Sequence, residues 1–266
     1  MCGRASLTAS PEEIADVFGL TEMPELVARY NIAPTQPLPM VVGEARGART
    51  LRFARFGLLP PWDKDVTSGA KHINARAETL LEKPIFAAAA RQRRCLVAVD
   101  AFYEWKRGRA GAKNTPYRIA FAHGAPFALA GIWETTRLAG GAVVESCAIV
   151  TGPAKGAIAE VHDRMPLVVG AERFDAWLSK ERDPAPWLTE MLERAPAFVA
   201  TRVSTFVNDP RHEGPECAAP VNDGAPDGDG GKEPAGPARA AAPQGETLSL
   251  FGDGGAPRGR PRRKSP

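Results

Sequence analysis

The sequence has no apolar run approaching the roughly 18 residues that a helix needs to cross a bilayer. Its start lacks the basic-then-apolar pattern of a secretory leader. Both absences predict a cytoplasmic protein with no membrane partner. Only four cysteines occur in 266 residues: Cys2, Cys95, Cys147 and Cys217. No two form a C-x-x-C pair, and the histidines at 72, 123, 162 and 212 are equally scattered. That spacing argues against a structural metal or a dithiol redox motif, so neither metal nor cofactor is expected. Net charge is small too, at +3. From Gly214 onward seven basic residues face seven acidic ones, which leaves the excess in the body. A surplus this small does not by itself identify a nucleic-acid partner. There is no internal repeat.

Hydrophobic content of 44% and charged content of 24% suit one folded domain of about 200 residues. The composition changes near residue 213, where "GPECAAPVNDGAPDGDGGKEPAGPARAAAPQGE" begins. Crowded with Gly, Pro, Ala and Asp, that stretch cannot bury enough surface to offset its ordering entropy. The expected organisation is therefore a domain over 2–213 and a disordered tail over 214–266. "SPEEIADVFG" carries every helix signal: Ser10 as N-cap, Pro11 at the first position, Glu13 to complete a capping box, and Gly19 as a stop. Ile14, Val17 and Phe18 give it an apolar face. "AERFDAWLSK" and "PWLTEMLERA" read as short helices. "LPMVV", "LRFARF", "CLVAVDAFYEW", "YRIAF", "FALAGIW", "ESCAIVT" and "FVATRVSTFV" read as strands. Many strands and few helices, without strict alternation, predict an α+β domain around a mostly antiparallel, barrel-like sheet with peripheral helices.

Cys95 and Cys147 lie in apolar runs and read as small buried hydrophobes. Cys2, in "MCGR", does not fit that description. If Met1 is removed, Cys2 presents a free α-amine and a thiol on adjacent carbons. The amine has an ordinary pKa of roughly 7.7–8.0 and is partly neutral at cellular pH. The thiol is a strong nucleophile once deprotonated. Such an aminothiol suits acyl transfer, with the amine as base. It equally suits aldehyde capture, in which an imine forms and the thiol closes a thiazolidine ring. Three further stretches hold reactive residue types: "INARAET", "DAFYEW" and "VHDRMP". Each has a plain structural alternative: a turn built by Asn74, a solvent-facing strand residue at Glu104, a surface turn at His162.

Together, "MCGR", "RYNIAPTQPLPMV", "INARAET", "VDAFYEWK" and "VHDRMPLVV" resemble, in order and approximate spacing, the SRAP domain of abasic-site processing proteins. The resemblance spans about residues 2–210. It implies a DNA-repair activity, linked to the SOS response, on abasic sites in single-stranded DNA. Cys2, after self-removal of Met1 (a peptidase-type step), would trap the ring-open aldehyde as a thiazolidine DNA–protein crosslink (a lyase-type step). Asn74 would hydrogen-bond near the reacting amine, Glu104 would act as general acid/base, and His162 would assist sugar ring opening. Arg4, Arg76 and Arg164 would contact phosphates. Asn31 and Pro34 would shape the loop beside the site. For Trp62 core packing is the first expectation and stacking on a base the second. Two positions depart from the family pattern: Ala101 stands where glycine is expected before Phe102, and Phe56 stands where tryptophan is expected before "GLLP". A monomer acting near the nucleoid is expected.

In the tail, Leu248, Leu250 and Phe251 resemble the short peptides that bind the bacterial replication sliding clamp. "RGRPRRK" would add salt-sensitive DNA affinity. Two other readings compete. An N-terminal-nucleophile glutamine amidotransferase also begins "MCG", but would lack the "FYEW" and "HDRMP" context. A non-catalytic DNA-binding adaptor recruited through the tail would not need Cys2.

Overall fold

A computed structural model describes residues 2–109 and 113–221. Thirteen strands are described: β1 (Ala5–Leu7), β2 (Arg29–Ile32), β3 (Pro37–Gly43), β4 (Arg49–Phe56), β5 (Asn74–Arg76), β6 (Arg94–Val99), β7 (Ala101–Lys106), β8 (Thr115–Phe121), β9 (Phe127–Arg137), β10 (Val143–Pro153), β11 (Arg164–Pro166), β12 (Val168–Val169) and β13 (Phe198–Arg202). The α-helices are α1 (Pro11–Phe18), α2 (Pro84–Gln92), α3 (Phe174–Leu178) and α4 (Ala185–Glu193).

Strands β10, β4, β3, β6 and β9 pair in that order, and β9 pairs back onto β10, so the five close into a barrel. All but the β4–β10 junction are antiparallel. Closure removes the free edges that an open sheet would expose. Strand β5 adds to β10 in parallel, and β11 joins it antiparallel. A second, antiparallel sheet runs β13-β8-β7-β1-β2. The expected α+β class around a barrel-like sheet is the observed one.

The run "CLVAV" explains how the core is shared. Every residue of β6 is buried, as a strand covered on both faces must be. Cys95, Val97 and Val99 point into the cluster formed by Met40, Phe56, Cys147 and Ile149, which Phe102 and Phe198 of the second sheet extend. Leu96 and Ala98 point the other way, onto Ile14 and Phe18 of α1, Phe86 of α2 and Trp177 of α3. Helix α1 starts and stops as its sequence predicts. Glu13 N–H donates to Ser10 Oγ at 3.2 Å, Ser10 N–H donates to Glu13 Oε2 at 3.0 Å, and Gly19 adopts φ 58°. Gly57 has a sharper requirement: at φ 122° a Cβ there would lie 2.3 Å from the Gly69 carbonyl oxygen.

Three expectations need correction. "CLVAVDAFYEW" is not one strand but two, β6 and β7, in different sheets. The break falls at Asp100, a buried carboxylate that accepts from donors of the amino-terminal segment rather than continuing the ladder. Helix α2, in "PIFAAAARQ", was not anticipated. Its alanines favour helix but give only a weak apolar stripe. The ordered chain also runs past 213. Residues Pro215–Ala218 form a 3₁₀ turn, Cys217 is fully buried with Tyr103 and Val203, and Val203 bridges Pro220. One buried anchor, Cys217, and one backbone bridge suffice when a body already offers the socket. The proposed clamp-binding residues Leu248, Leu250 and Phe251 and the basic end lie outside the described residues. Among those described, no helix is long and apolar enough to cross a membrane.

Candidate active site

The amino-terminal segment is held by Asp100. Its carboxylate accepts from Ser6 Oγ at 2.5 Å, Thr8 Oγ1 at 2.6 Å, Ala9 N–H at 3.2 Å and Thr8 N–H. Four donors on one carboxylate fix β1 in register with β7, where Ala5 faces Phe102 and Tyr103 N–H donates to Arg4 O at 2.9 Å. Antiparallel continuation of that register sets Gly3 opposite Glu104 and Cys2 one residue beyond it.

Cys2 is fully buried. Its carbonyl accepts from Asn74 Nδ2 at 3.0 Å. Asn74 opens β5, whose parallel pairing with Ile149 of β10 brings the side chain to the amino-terminal segment. Burial pushes the Cys2 thiol well above its ordinary value, and the nearby Glu104 carboxylate adds to that rise. Glu104 is 2% exposed, and burial pushes its carboxyl up to about 7. A carboxylic acid poised there can both give and take a proton near neutrality.

His162 follows the 3₁₀ turn Gly156–Glu160, and its Nε2 lies 4.0 Å from Glu104 Oε2. Its Nδ1 accepts from Arg164 N–H at 2.9 Å. A ring nitrogen that accepts cannot also carry a proton, so the proton of the neutral ring sits on Nε2, the atom that faces Glu104. Asp163 Oδ1 is also 2.9 Å from Nδ1 and would favour the charged ring, but its side chain is 87% exposed and water screens it. Burial is the larger influence and lowers the His162 pKa. Cys2, Asn74, Glu104 and His162, drawn from four separate stretches, thus meet in one place.

The other expected contacts divide. Arg76 is exposed on β5. Arg4 is turned inward: Nη1 donates to Asn31 Oδ1 at 2.7 Å and to Val207 O at 2.6 Å, and its guanidinium lies over Trp105. Asn31 is itself buried and donates to Asp209 O at 3.0 Å and His212 O at 2.9 Å. Arg164 donates to both carboxylate oxygens of Glu78 and to Thr151 O at 2.8 Å. Core packing is not the role of Trp62, which is 61% exposed. The Pro-Pro pair before it turns the chain outward from Leu58 and Leu59, which are buried instead. Asp100 and Glu78 escaped the sequence reading. An acidic residue at a strand junction was the only available signal for the first, and none marked the second. Among the described residues no His/Cys/Asp/Glu cluster could hold a metal.

Residues 1–210 match the family model described as SOS response associated peptidase (SRAP). The chain belongs to the SRAP family. Abasic site processing protein YoqW of Bacillus subtilis is 36% identical over 221 residues, covering 81% of this chain and 98% of that protein. YoaM, similarly named and from the same organism, is 35% identical with coverage of 81% and 96%. Abasic site processing protein HMCES of Gallus gallus is 28% identical and covers 85% of this chain and 80% of its own. A crystal structure of a Bacteroides thetaiotaomicron protein matches 83% of this chain with a TM-score of 0.71 at 22% identity, which shows the fold alone. One from Bordetella bronchiseptica matches 76% with a TM-score of 0.65 at 25% identity. The match ends close to where β13 and the following 3₁₀ turn (Thr205–Asn208) complete the SRAP domain.

Proposed function

We propose that this chain processes abasic sites in single-stranded DNA by capturing the lesion's ring-open aldehyde covalently on Cys2. Hydrolysis of the Met1–Cys2 amide comes first. Water adds to the Met1 carbonyl carbon, the C–N bond breaks, and the departing nitrogen takes a proton to become the Cys2 α-amine. Glu104 takes the proton from water and returns it to that nitrogen.

Capture then has three steps. In its imidazolium form, with the Nδ1 proton held by Asp163 Oδ1, His162 donates the Nε2 proton to the ring oxygen of the closed sugar; the bond from that oxygen to the anomeric carbon breaks, the anomeric hydroxyl passes its proton to the Glu104 carboxylate, and the aldehyde opens. The Cys2 amine adds to the aldehyde carbon, water leaves, and an imine results. Cys2 Sγ adds to the imine carbon and the thiol proton ends on nitrogen, closing the thiazolidine. One water is released in all. The raised pKa of the thiol keeps it protonated at first, so the amine reacts before the sulfur. Asn74, bound to the Cys2 carbonyl, holds the aminothiol in place through each step.

The observation that carries this reading is the buried Cys2 beside Glu104, a carboxyl whose value of about 7 suits repeated proton transfers. The test is a denaturing gel of single-stranded DNA with one abasic site, incubated with wild-type protein and with Cys2→Ala, alongside the intact mass of the free protein. A heat-stable shifted band that needs Cys2, from protein lacking Met1, is expected. Absence of the band from protein that has lost Met1 would overturn the proposal.

A further inference from the structure

Arg164 would meet DNA phosphate by the motif it sits in, yet its phosphate-binding edge is already taken. Nη1 and Nη2 face the two carboxylate oxygens of Glu78, with Nη2–Oε2 at 3.0 Å. Nη2 spends its other proton on Thr151 O at 2.8 Å. Nε is buried with no partner among the described residues. A carboxylate and a phosphate offer a guanidinium the same paired oxygens, so Glu78 occupies the place a phosphate would take. Glu78 follows Asn74 by four residues and the exposed Arg76 by two, so gate, phosphate contact and Cys2 anchor share one short segment. The Glu78 side chain is 40% exposed and that of Arg164 13%. With Glu78 the exposed member of the pair, its carboxylate can move into water and leave that place to another anion.

We propose that Glu78 is an electrostatic gate on Arg164, a specificity-determining residue that competes with the DNA backbone and suppresses binding to intact strands. The gate rests on the reading that single-stranded DNA is the ligand. On an undamaged strand the phosphate gains only what Glu78 gives up, so occupancy stays low. On an abasic strand covalent capture at Cys2 retains the DNA whichever anion Arg164 holds. Glu78 therefore enters discrimination without touching the lesion.

The experiment measures non-covalent binding of an intact single-stranded oligonucleotide by anisotropy across a salt series. Wild type, Glu78→Gln, Arg164→Gln and the double variant are compared. Glu78→Gln is expected to bind about 3–10-fold tighter, with a salt slope steeper by about 0.7, the increment for one added single-strand phosphate contact. In the Arg164→Gln background the gain should vanish. An equal gain there would mean only that a negative charge had been removed, and unchanged or weaker binding by Glu78→Gln would also overturn the gate. Should Glu78→Gln melt early, Glu78→Asp keeps the charge but breaks the paired contact; it should bind intact DNA tighter than wild type, and failure to do so overturns the gate equally. Wild-type crosslinking of an abasic strand without any Glu78 effect would sink the gate and leave the chemistry standing. Wild type that neither crosslinks nor binds DNA would sink the reading beneath it.

Discussion

Two regions of this molecule bury thiols completely, and they are built for opposite ends. Cys95 and Cys147 lie inside the barrel with their sulfurs 3.6 Å apart, among Val97, Phe56 and Ile149. Cys2 lies at the edge of the same cluster, equally inaccessible. Burial raises the thiol pKa of Cys2 and of Cys95 alike. Neither exposure nor thiolate character, then, separates a nucleophile from a core filler here. What differs is the company. Beside Cys2 are an amide on its carbonyl and a carboxyl poised at about 7, which in turn faces the His162 imidazole. The barrel pair has each other and hydrocarbon.

The largest effect that could break this contrast is at Cys2 itself. Cys2→Ala should abolish crosslinking to abasic DNA, whereas Cys95→Ala should retain it; crosslinking by Cys2→Ala would erase the distinction. Next is Glu104→Gln. Loss of the acid/base group should slow crosslinking ~10²–10⁴-fold and remove an inflection near pH 7 from the rate profile of the wild type. The same variant carries a stability signature. The folded protein favours the protonated acid, since its value of about 7 lies above the ordinary carboxylate range. The contribution is therefore fully present below pH ~4.5 and is lost as pH rises towards 7, on the order of 3 kcal/mol. Thermal melts from pH 4.5 to 8 should show that decline in wild type and not in Glu104→Gln.

The residues of this site were legible because each sits in a short string of unusual chemistry: a cysteine behind Met1, an Asn and an Arg two apart, an acid between two aromatics, a His-Asp-Arg turn. Their meeting was legible only through family resemblance, because the contacts that assemble the site are long-range: that of Asn74 Nδ2 with the Cys2 carbonyl alone spans 72 residues. Helix α1 could be read in full because a capping box and a terminal glycine are local devices. Helix α2 could not, since alanine suits helix without naming the face that packs. The contacts of Arg4 and Arg164 within the protein were invisible for a related reason. A guanidinium has the same sequence signature whether it awaits a phosphate or is already bound to Val207 O or Glu78. The exposure of Trp62 turns on the path of a Pro-Pro loop, which composition does not specify.

Asp100 sharpens the contrast from the structural side. It gives the reactive segment a rigidity that the barrel cysteines obtain from closure alone. Asp100→Ala strands the donors of Ser6, Thr8 and Ala9 and should cost about 3 kcal/mol. Because those donors set the register that carries Cys2 to Glu104, the variant should also retain Met1 in a larger fraction of molecules, read by intact mass at a temperature where the protein stays folded. A variant that is destabilised yet fully processed would show that β1 keeps its register without the carboxylate.

The smallest effect belongs to the barrel pair. Cys147→Ala removes one sulfur from a packed interior and leaves a void bounded by Cys95, Phe56 and Ile149. A cost of about 1 kcal/mol is expected, seen as a shifted denaturant midpoint at unchanged slope. Crosslinking should proceed at the wild-type rate, because no proton in the proposed sequence passes through Cys147. Native-state labelling with a thiol reagent adds a kinetic reading of the same contrast. Cys95 and Cys147 should react only at the rate of global unfolding, since both strands that carry them pair on two sides within the closed barrel. Cys2 belongs to a segment tied down chiefly through Asp100 and β7, so local opening should expose it first. Labelling of Cys147 as fast as Cys2 would mean that the barrel opens as readily as the site, and that rigidity does not distinguish the two thiols.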